Sequence, residues 1–434
     1  MDVKNLYKIF CRFPVVSTDT RKPVRDSIFF ALRGDKFDGN AYADEAIRNG
    51  AAYAVVDDKT VAGDSRIIVV ENSLSALQQL AALHRKKIKA IIIAITGSNG
   101  KTTTKDLISG ILSGEYTVCS TRGNLNNHIG VPLTILSIRP EDRFGVVEMG
   151  ANHPEEIADL CRIALPGYGL ITNIGRAHLE GFGSVNGVMR AKGELYEYLR
   201  GSGGKVFVNC GDQVLMDMLG DFPGEVVRYG NGDGTICSGS IDKTDPFLHI
   251  HINPGNIPGN RISIRTRMLG DFNLENILAA VGVGYYFDVN VEKMIQAVRD
   301  YVPDMLRSQI LKSGHNTLFV DAYNANPTSM LAAIRNFQKN AGENKLLILG
   351  EMAELGEVSE AEHVALVSHI VESGIKRVIL IGKSFLKLSV PEEFTRFNDV
   401  QAMVEWLHDH PIRNADILLK GSRIVGLERL IQYL

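Results

Sequence analysis

The residues best able to do chemistry stand together in Thr96-Gly97-Ser98-Asn99-Gly100-Lys101-Thr102-Thr103. Two glycines followed by a lysine and a threonine can close backbone N–H groups around phosphate oxygens. The lysine then reaches the outer phosphates, and the first threonine hydroxyl is placed to ligate magnesium. In the pattern G-x-x-x-x-G-K-[ST] the first glycine would fall at position 95, where this chain has Ile95, so the loop is a variant that begins at Gly97. A tight turn ahead of a helix would need only the two glycines. A nucleoside triphosphate site also needs a buried strand before the loop and an amphipathic helix after it. Both are present: Ala90-Ile-Ile-Ile-Ala-Ile95 precedes, and Leu107, Ile108, Ile111 and Leu112 recur at helical spacing behind.

Such a loop belongs at the carboxyl end of a strand in an open parallel sheet. Strand and helix patterns alternate through this part of the chain. Phe144-Gly-Val-Val-Glu148 reads as a buried strand delivering Glu148 at its end, and Tyr168-Gly-Leu-Ile-Thr172 as another, from which the loop Asn173 to Gly183 departs with His178. Glu148 and His178 are therefore expected to face the triphosphate. Ahead of this segment, Ser27–Leu32, Ala52–Val56 and Arg66–Val70 read as strands of a small α/β unit. It also carries the polar loops Ser17–Arg21 and Arg33–Gly39, which ordinary turn chemistry explains equally well.

From about Gly203 to Met268 short alternating strands, Lys205–Val208 among them, predict an antiparallel flap. His249 and His251 share one face of a strand there, which reads as a solvated face in the absence of a third ligand nearby. Asn273 and Asn276 lie on one side of the first turn of the next helix; N-capping would account for Asn273 but not for Asn276. Beyond Pro303, strands ending at Asp321, Leu349, Ile381 and Leu419 alternate with helices after Pro327, Ser359, Asp399 and Ser422, the pattern of a second doubly wound sheet. The expectation is an α/β protein of three domains: a small α/β domain over 1–86, a central P-loop ATPase domain over 87–302 with a mainly parallel sheet and an antiparallel flap, and a Rossmann-like domain over 303–434.

A chain of 434 residues agrees with about three cores. A net charge of −3 gives no general drive toward nucleic acid or anionic membrane, so any anion must be held locally. The five cysteines are scattered, odd in number and without a C-x-x-C pair, as in a reducing compartment. The charged first ten residues lack the apolar core of a signal peptide, and no apolar run approaches bilayer length. A cytoplasmic, monomeric protein without a membrane span is expected.

The order and spacing of several stretches resemble the Mur ligase family over essentially the whole chain: Thr96–Thr102 without the earlier glycine, Thr18-Asp19-Thr20-Arg21, Gly123-Asn124-Leu125-Asn126-Asn127, Glu148-Met-Gly-Ala-Asn152-His153-Pro154, Asn173-Ile-Gly-Arg-Ala-His178, Tyr323-Asn324-Ala-Asn-Pro327 and Gly350-Glu-Met-Ala-Glu-Leu-Gly356. No Asp-Asn-Pro-Arg motif occurs, which disfavours the branch that adds diaminopimelate or lysine. The resemblance implies that ATP with Mg²⁺ converts a peptide carboxylate to an acyl phosphate, which the amine of D-alanyl-D-alanine attacks. The acceptor it implies is a UDP-N-acetylmuramoyl-tripeptide.

The resemblance further implies roles for individual residues. Lys101 and Arg307 would lie on the transferring phosphate, although Arg307-Ser-Gln309 lacks the acidic residue common two positions after that arginine. Thr102 and Glu148 would hold one magnesium; His178 and a carbamylated Lys192 would hold a second. From the residues alone Lys192 reads as a solvated helical lysine. Asn273 and Asn276 would contact adenine, and Asp321, Tyr323 and Asn324 the ribose and phosphates. Asp19, Thr20, Arg21, Asn124, Asn126, Asn127, Asn152 and His153 would contact the UDP-linked substrate. Other amide ligases of the superfamily, such as the folylpolyglutamate-forming type, are the nearest alternatives. A nucleotide switch, the alternative from another class, would need neither Lys192 nor a second metal.

Overall fold

The computed structural model describes every residue except 23–24, 35–36, 62, 256–260 and 304–305. Three parallel or mostly parallel sheets follow one another along the chain. The first has four strands in the order Val15–Ser17, Ser27–Phe30, Tyr53–Val56, Ile67–Val69, all parallel. Arg33–Gly34 and Phe37–Asp38 pair as a small antiparallel ribbon, so the polar loop expected from Arg33 to Gly39 is a hairpin, with residues 35–36 outside those described.

The second sheet has six parallel strands, ordered Val226–Tyr229, Lys205–Asn209, Tyr168–Ile171, Ile91–Thr96, Phe144–Glu148, Val118–Ser120. Its central strands Ile91–Thr96, Phe144–Glu148 and Tyr168–Ile171 read as near-continuous apolar runs, as parallel strands covered on both faces do. Ile92 to Thr96 are buried throughout. The strand Ile91–Thr96 has later strands on either side of it. Strand order reverses there, and in open α/β sheets the crevice at such a point takes the ligand. The helix Lys101–Leu112 starts directly after the loop, its inner face closed by Leu107, Ile108, Ile111 and Leu112.

Lys205–Asn209 pairs parallel with Tyr168–Ile171, so it belongs to the central sheet and not to the expected flap. The antiparallel flap is shorter and later, made of Cys237–Asp245, Phe247–Pro254 and Ile262–Arg265. In it His251 meets Asp242 at 3.5 Å and His249 accepts from Arg265 at 3.3 Å, while the alternate residues Leu248, Ile250 and Ile252 are buried.

The third sheet has six strands ordered Gln309–Ser313, Asn316–Asp321, Asp416–Lys420, Lys345–Gly350, Val378–Ile381, Thr395–Phe397, with only the first pair antiparallel. The helix expected after Ser422 is instead two short 3-10 segments, Arg423–Val425 and Leu427–Tyr433, divided by Gly426 at φ 73°. Among the described residues no helix is long and apolar enough to cross a membrane.

Candidate active site

A cleft of about 640 Å³ opens where the carboxyl ends of the second and third sheets face each other. Ser98 to Thr103 form part of its wall. Gly97 and Gly100 have φ 140° and 79°, and a Cβ on either would collide with a neighbour, 2.0 Å from Thr172 Oγ1 and 2.4 Å from Asn276 Oδ1 respectively. Both positions therefore require glycine for conformation and for space. Asn173 fixes the turn from below: its Oδ1 accepts from Asn99 N at 3.0 Å and its Nδ2 donates to Asn99 O at 3.1 Å. Lys101 Nζ folds back onto its own loop, donating to Gly97 O at 2.6 Å and Ser98 O at 3.2 Å. Burial holds its pKa below the ordinary lysine value.

Glu148 emerges at its strand end 2% exposed. One carboxylate oxygen accepts from Asn126 Nδ2 at 2.8 Å; the other, Oε2, is buried with no hydrogen-bond partner. A buried, unpartnered carboxylate oxygen is costly unless something cationic meets it. Glu148 lines the cleft with Lys101 and the buried Thr102, so the orphan oxygen and the hydroxyl would, with the phosphates of a bound nucleotide, make an oxygen-only donor set. Magnesium takes one or two protein oxygens plus phosphates and water in this manner, so these residues fit it. Among the described residues no group of three His, Cys, Asp or Glu side chains converges on one point.

His178 and Lys192, the second expected metal pair, each hold a partner of their own. His178, at φ 53°, places Nδ1 2.5 Å from Glu354 Oε2 of the third sheet's loop. Lys192 is 1% exposed on the helix Val185–Ser202, donating to Ala151 O at 3.1 Å and lying 5.1 Å over the Phe182 ring. The reading of Lys192 as a solvated lysine is thus overturned. Burial, reinforced by the charge of Lys101, pulls its pKa down to about 7. A lysine in that state has a substantial neutral fraction at physiological pH.

Asn273 is no cap: Phe272 holds that position, and Asn273 Nδ2 reaches back to Leu269 O at 2.7 Å. Asn276 Nδ2 donates to Asn273 Oδ1 at 2.8 Å, and its own Oδ1 accepts from Thr104 at 3.1 Å. Both asparagines line the cleft.

From the third sheet come Arg307, Asp321, Tyr323 and Asn324. The Arg307 guanidinium lies 3.7 Å over the Tyr323 ring, with its buried Nε unpartnered. Residues 304–305, just before it, lie outside those described. Lys420, which sequence reasoning missed as a site residue, is 2% exposed, bonds Asn324 O at 2.8 Å and pairs with Asp321 Oδ2 at 2.8 Å. Its place at the end of an apolar strand, ahead of Gly421 and Ser422, was the available signal.

Asn124, Asn126, Asn127 and Asn152 also line the cleft. Asn127 Oδ1 caps the turn into the helix Gly130–Ser137 through Ile129 N and Gly130 N. His153 is exposed and does not line the cleft, although it pairs at 3.2 Å with Glu156, which does; Thr96 and Gly97 are buried and do not line it. Asp19, Thr20 and Arg21 are not among the residues lining the cleft. Arg21 forks onto Asp19 at 2.8 and 2.9 Å, and this hydrogen bonding takes the Asp19 carboxyl down to about 2.

Three family models match this chain: the Mur ligase middle domain over residues 95–284, the Mur ligase glutamate ligase domain over 306–423, and the Mur ligase family catalytic domain over 13–85. The UDP-N-acetylmuramoyl-tripeptide–D-alanyl-D-alanine ligase of Bacillus subtilis is 33% identical, with 96% of this chain and 92% of the relative covered. The Haemophilus influenzae ligase of the same description is 34% identical over the same shares. A crystal structure of MurF from Acinetobacter baumannii superimposes with TM-score 0.83 at 29% identity, covering 96% of this chain and 92% of that one. The chain belongs to the Mur ligase family, and its α/β architecture of three sheet units is that of its relatives.

Proposed function

We propose that this protein joins D-alanyl-D-alanine to a UDP-N-acetylmuramoyl-tripeptide, using ATP with Mg²⁺, as a monomer in the cytoplasm. The observation that carries the reading is one cleft in which Lys101, Thr102 and the unpartnered Glu148 Oε2 face Arg307, Asp321, Tyr323 and Asn324 of another sheet. The specificity printed for the relatives supports the choice of amine, as does the absence of an Asp-Asn-Pro-Arg motif.

A carboxylate resists attack by an amine because oxide is a poor leaving group; phosphorylation gives it a leaving group that departs readily. Moving a phosphoryl group from one anion to another requires cations set in advance around it. Lys101 leaves its loop carbonyls for the γ-phosphate, and Arg307 neutralises the same group from the facing wall. Thr102 and Glu148 would hold the magnesium ion, which when bound offsets the charge of the phosphate oxygens. Lys192, with a substantial neutral fraction near pH 7, can add carbon dioxide at its amine and release a proton, becoming the carbamate that would join His178 at a second ion. Asn273 and Asn276 border the adenine, Asp321, Tyr323 and Asn324 the ribose and phosphates. Asp19, Thr20, Arg21 and His153 contact the UDP-linked substrate at a distance from the reacting carboxylate, while Asn124, Asn126, Asn127 and Asn152 contact it inside the cleft.

The test is product mass after incubation with UDP-N-acetylmuramoyl-tripeptide, ATP, Mg²⁺ and D-alanyl-D-alanine, with diaminopimelate and glutamate as competing amines. A product carrying either competitor instead of the dipeptide would assign the chain to another branch.

A further inference from the structure

We propose that Arg423 binds the terminal carboxylate of the incoming D-alanyl-D-alanine, and so is the residue that selects a dipeptide acid as the amine substrate. This rests on the function proposed above. Two guanidinium groups share the Tyr323 ring, Arg307 at 3.7 Å from its centroid and Arg423 at 5.4 Å. Neither makes an ion pair to a carboxylate among the described residues, so the ring carries two positive charges without a counter-anion. The two are not equivalent. Arg307 lines the cleft with Lys101, where the phosphates belong; Arg423 is exposed and does not line it, standing at the lip just beyond Lys420 and the buried Ser422.

Besides the anions of ATP and of the UDP-linked peptide, the reaction brings in the carboxylate of the dipeptide. It is one residue away from the attacking amine and cannot lie at the phosphate. A cation on the lip beside Tyr323 meets that requirement, since it holds the far end of the dipeptide while the amine points inward. Arginine suits a carboxylate through its paired N–H fork. The neighbouring Ile424 side chain is 82% exposed, an unsatisfied apolar surface where a dipeptide methyl group would lie. The base of the loop is rigid: Ser422 Oγ accepts from Ala353 N at 2.8 Å and donates to Ala325 O at 3.4 Å. Arg423 is thus offered from a fixed strand end.

The experiment compares D-alanyl-D-alanine with its C-terminal amide, which keeps the nucleophile and both methyl groups and lacks the charge. Arg423→Met should lose about 100-fold in kcat/KM for the acid, mostly through KM, and stay within about threefold of the parent for the amide and for ATP. Arg423→Lys should recover part of the loss. Equal losses for acid and amide, or a Met variant that still prefers the acid as strongly as the parent, would overturn the assignment. A parent that ligates neither amine but accepts another would instead remove the proposed function, and this inference with it.

Discussion

Asn326 Nδ2, at the head of the helix Pro327–Asn340, donates to Asn99 Oδ1 in the phosphate loop at 2.9 Å, across 227 residues of sequence. The third sheet therefore holds the loop to which nucleotide binding is assigned above. Further contacts follow the same seam: Arg176 with Glu362 at 2.5 Å, Glu180 N with Glu354 O at 3.1 Å, and Lys339 with Asp271 at 3.0 Å. Asn326 also caps its own helix through Ser329 N at 2.9 Å. Substitution can separate the two duties.

Serine at 326 can still cap but is too short to reach Asn99. Asn326→Ser should therefore keep the melting temperature within about 2 °C and lower kcat/KM for ATP by roughly three- to tenfold, the worth of one hydrogen bond. Thermal unfolding and steady-state kinetics on the same preparation decide it. A fall in stability with kinetics unchanged would leave Asn326 only its cap.

Lys101→Ala should reduce turnover by about a thousandfold or more, because its charge is assigned to the transferring phosphate. Stability should not suffer. Burial already disfavours the Lys101 ammonium in the folded chain, so removing it takes away no net electrostatic support. ADP release and urea unfolding measure the two halves, and undiminished ADP release would end the ATPase reading.

Replacing Lys192 with Ala should lower activity by orders of magnitude while leaving room for a small carboxylate. Formate or acetate should then restore part of the rate, since each supplies the anionic oxygens of the lost carbamate. A variant as active as the parent would remove Lys192 from the site.

In CO₂-free buffer without metal, Lys192 also predicts a pH dependence. Its folded pKa of about 7 lies below the ordinary 10.5, so between these values the unfolded chain binds a proton that the folded chain does not. Stability contributed by this group therefore rises with pH across that window and is flat below it. Lys192→Met should remove the rise. Urea midpoints for both proteins across the window provide the comparison; parallel curves would contradict the buried neutral amine.

Much of the catalytic wall was legible because strand, turn and helix leave strong local marks. Phe144–Glu148 was read with the bounds it has, since five consecutive buried positions give no other solution. Lys205–Asn209 was read as a strand but placed in the wrong sheet, because a run of apolar residues does not say which edge it joins. The strand Cys237–Asp245 was invisible: its residues are mostly polar and its position is set by the neighbour Phe247–Pro254. The burial of Lys192 was equally hidden, since a helix shows its own periodicity and not what covers it. Asn273 shows the converse, a residue type suited to capping that spends its side chain on Leu269 O and Asn276.

The space denied to side chains at Gly97 and Gly100 is filled by Thr172 Oγ1 and Asn276 Oδ1, residues far along the chain. The phosphate loop is consequently not a portable cassette. A chimera that imports residues 96–103 from a distant relative inherits a turn shaped for that relative's own fillers. It will seat only if the positions of Thr172 and Asn276 travel with it, so the smallest exchangeable unit of this site is three separate pieces of chain.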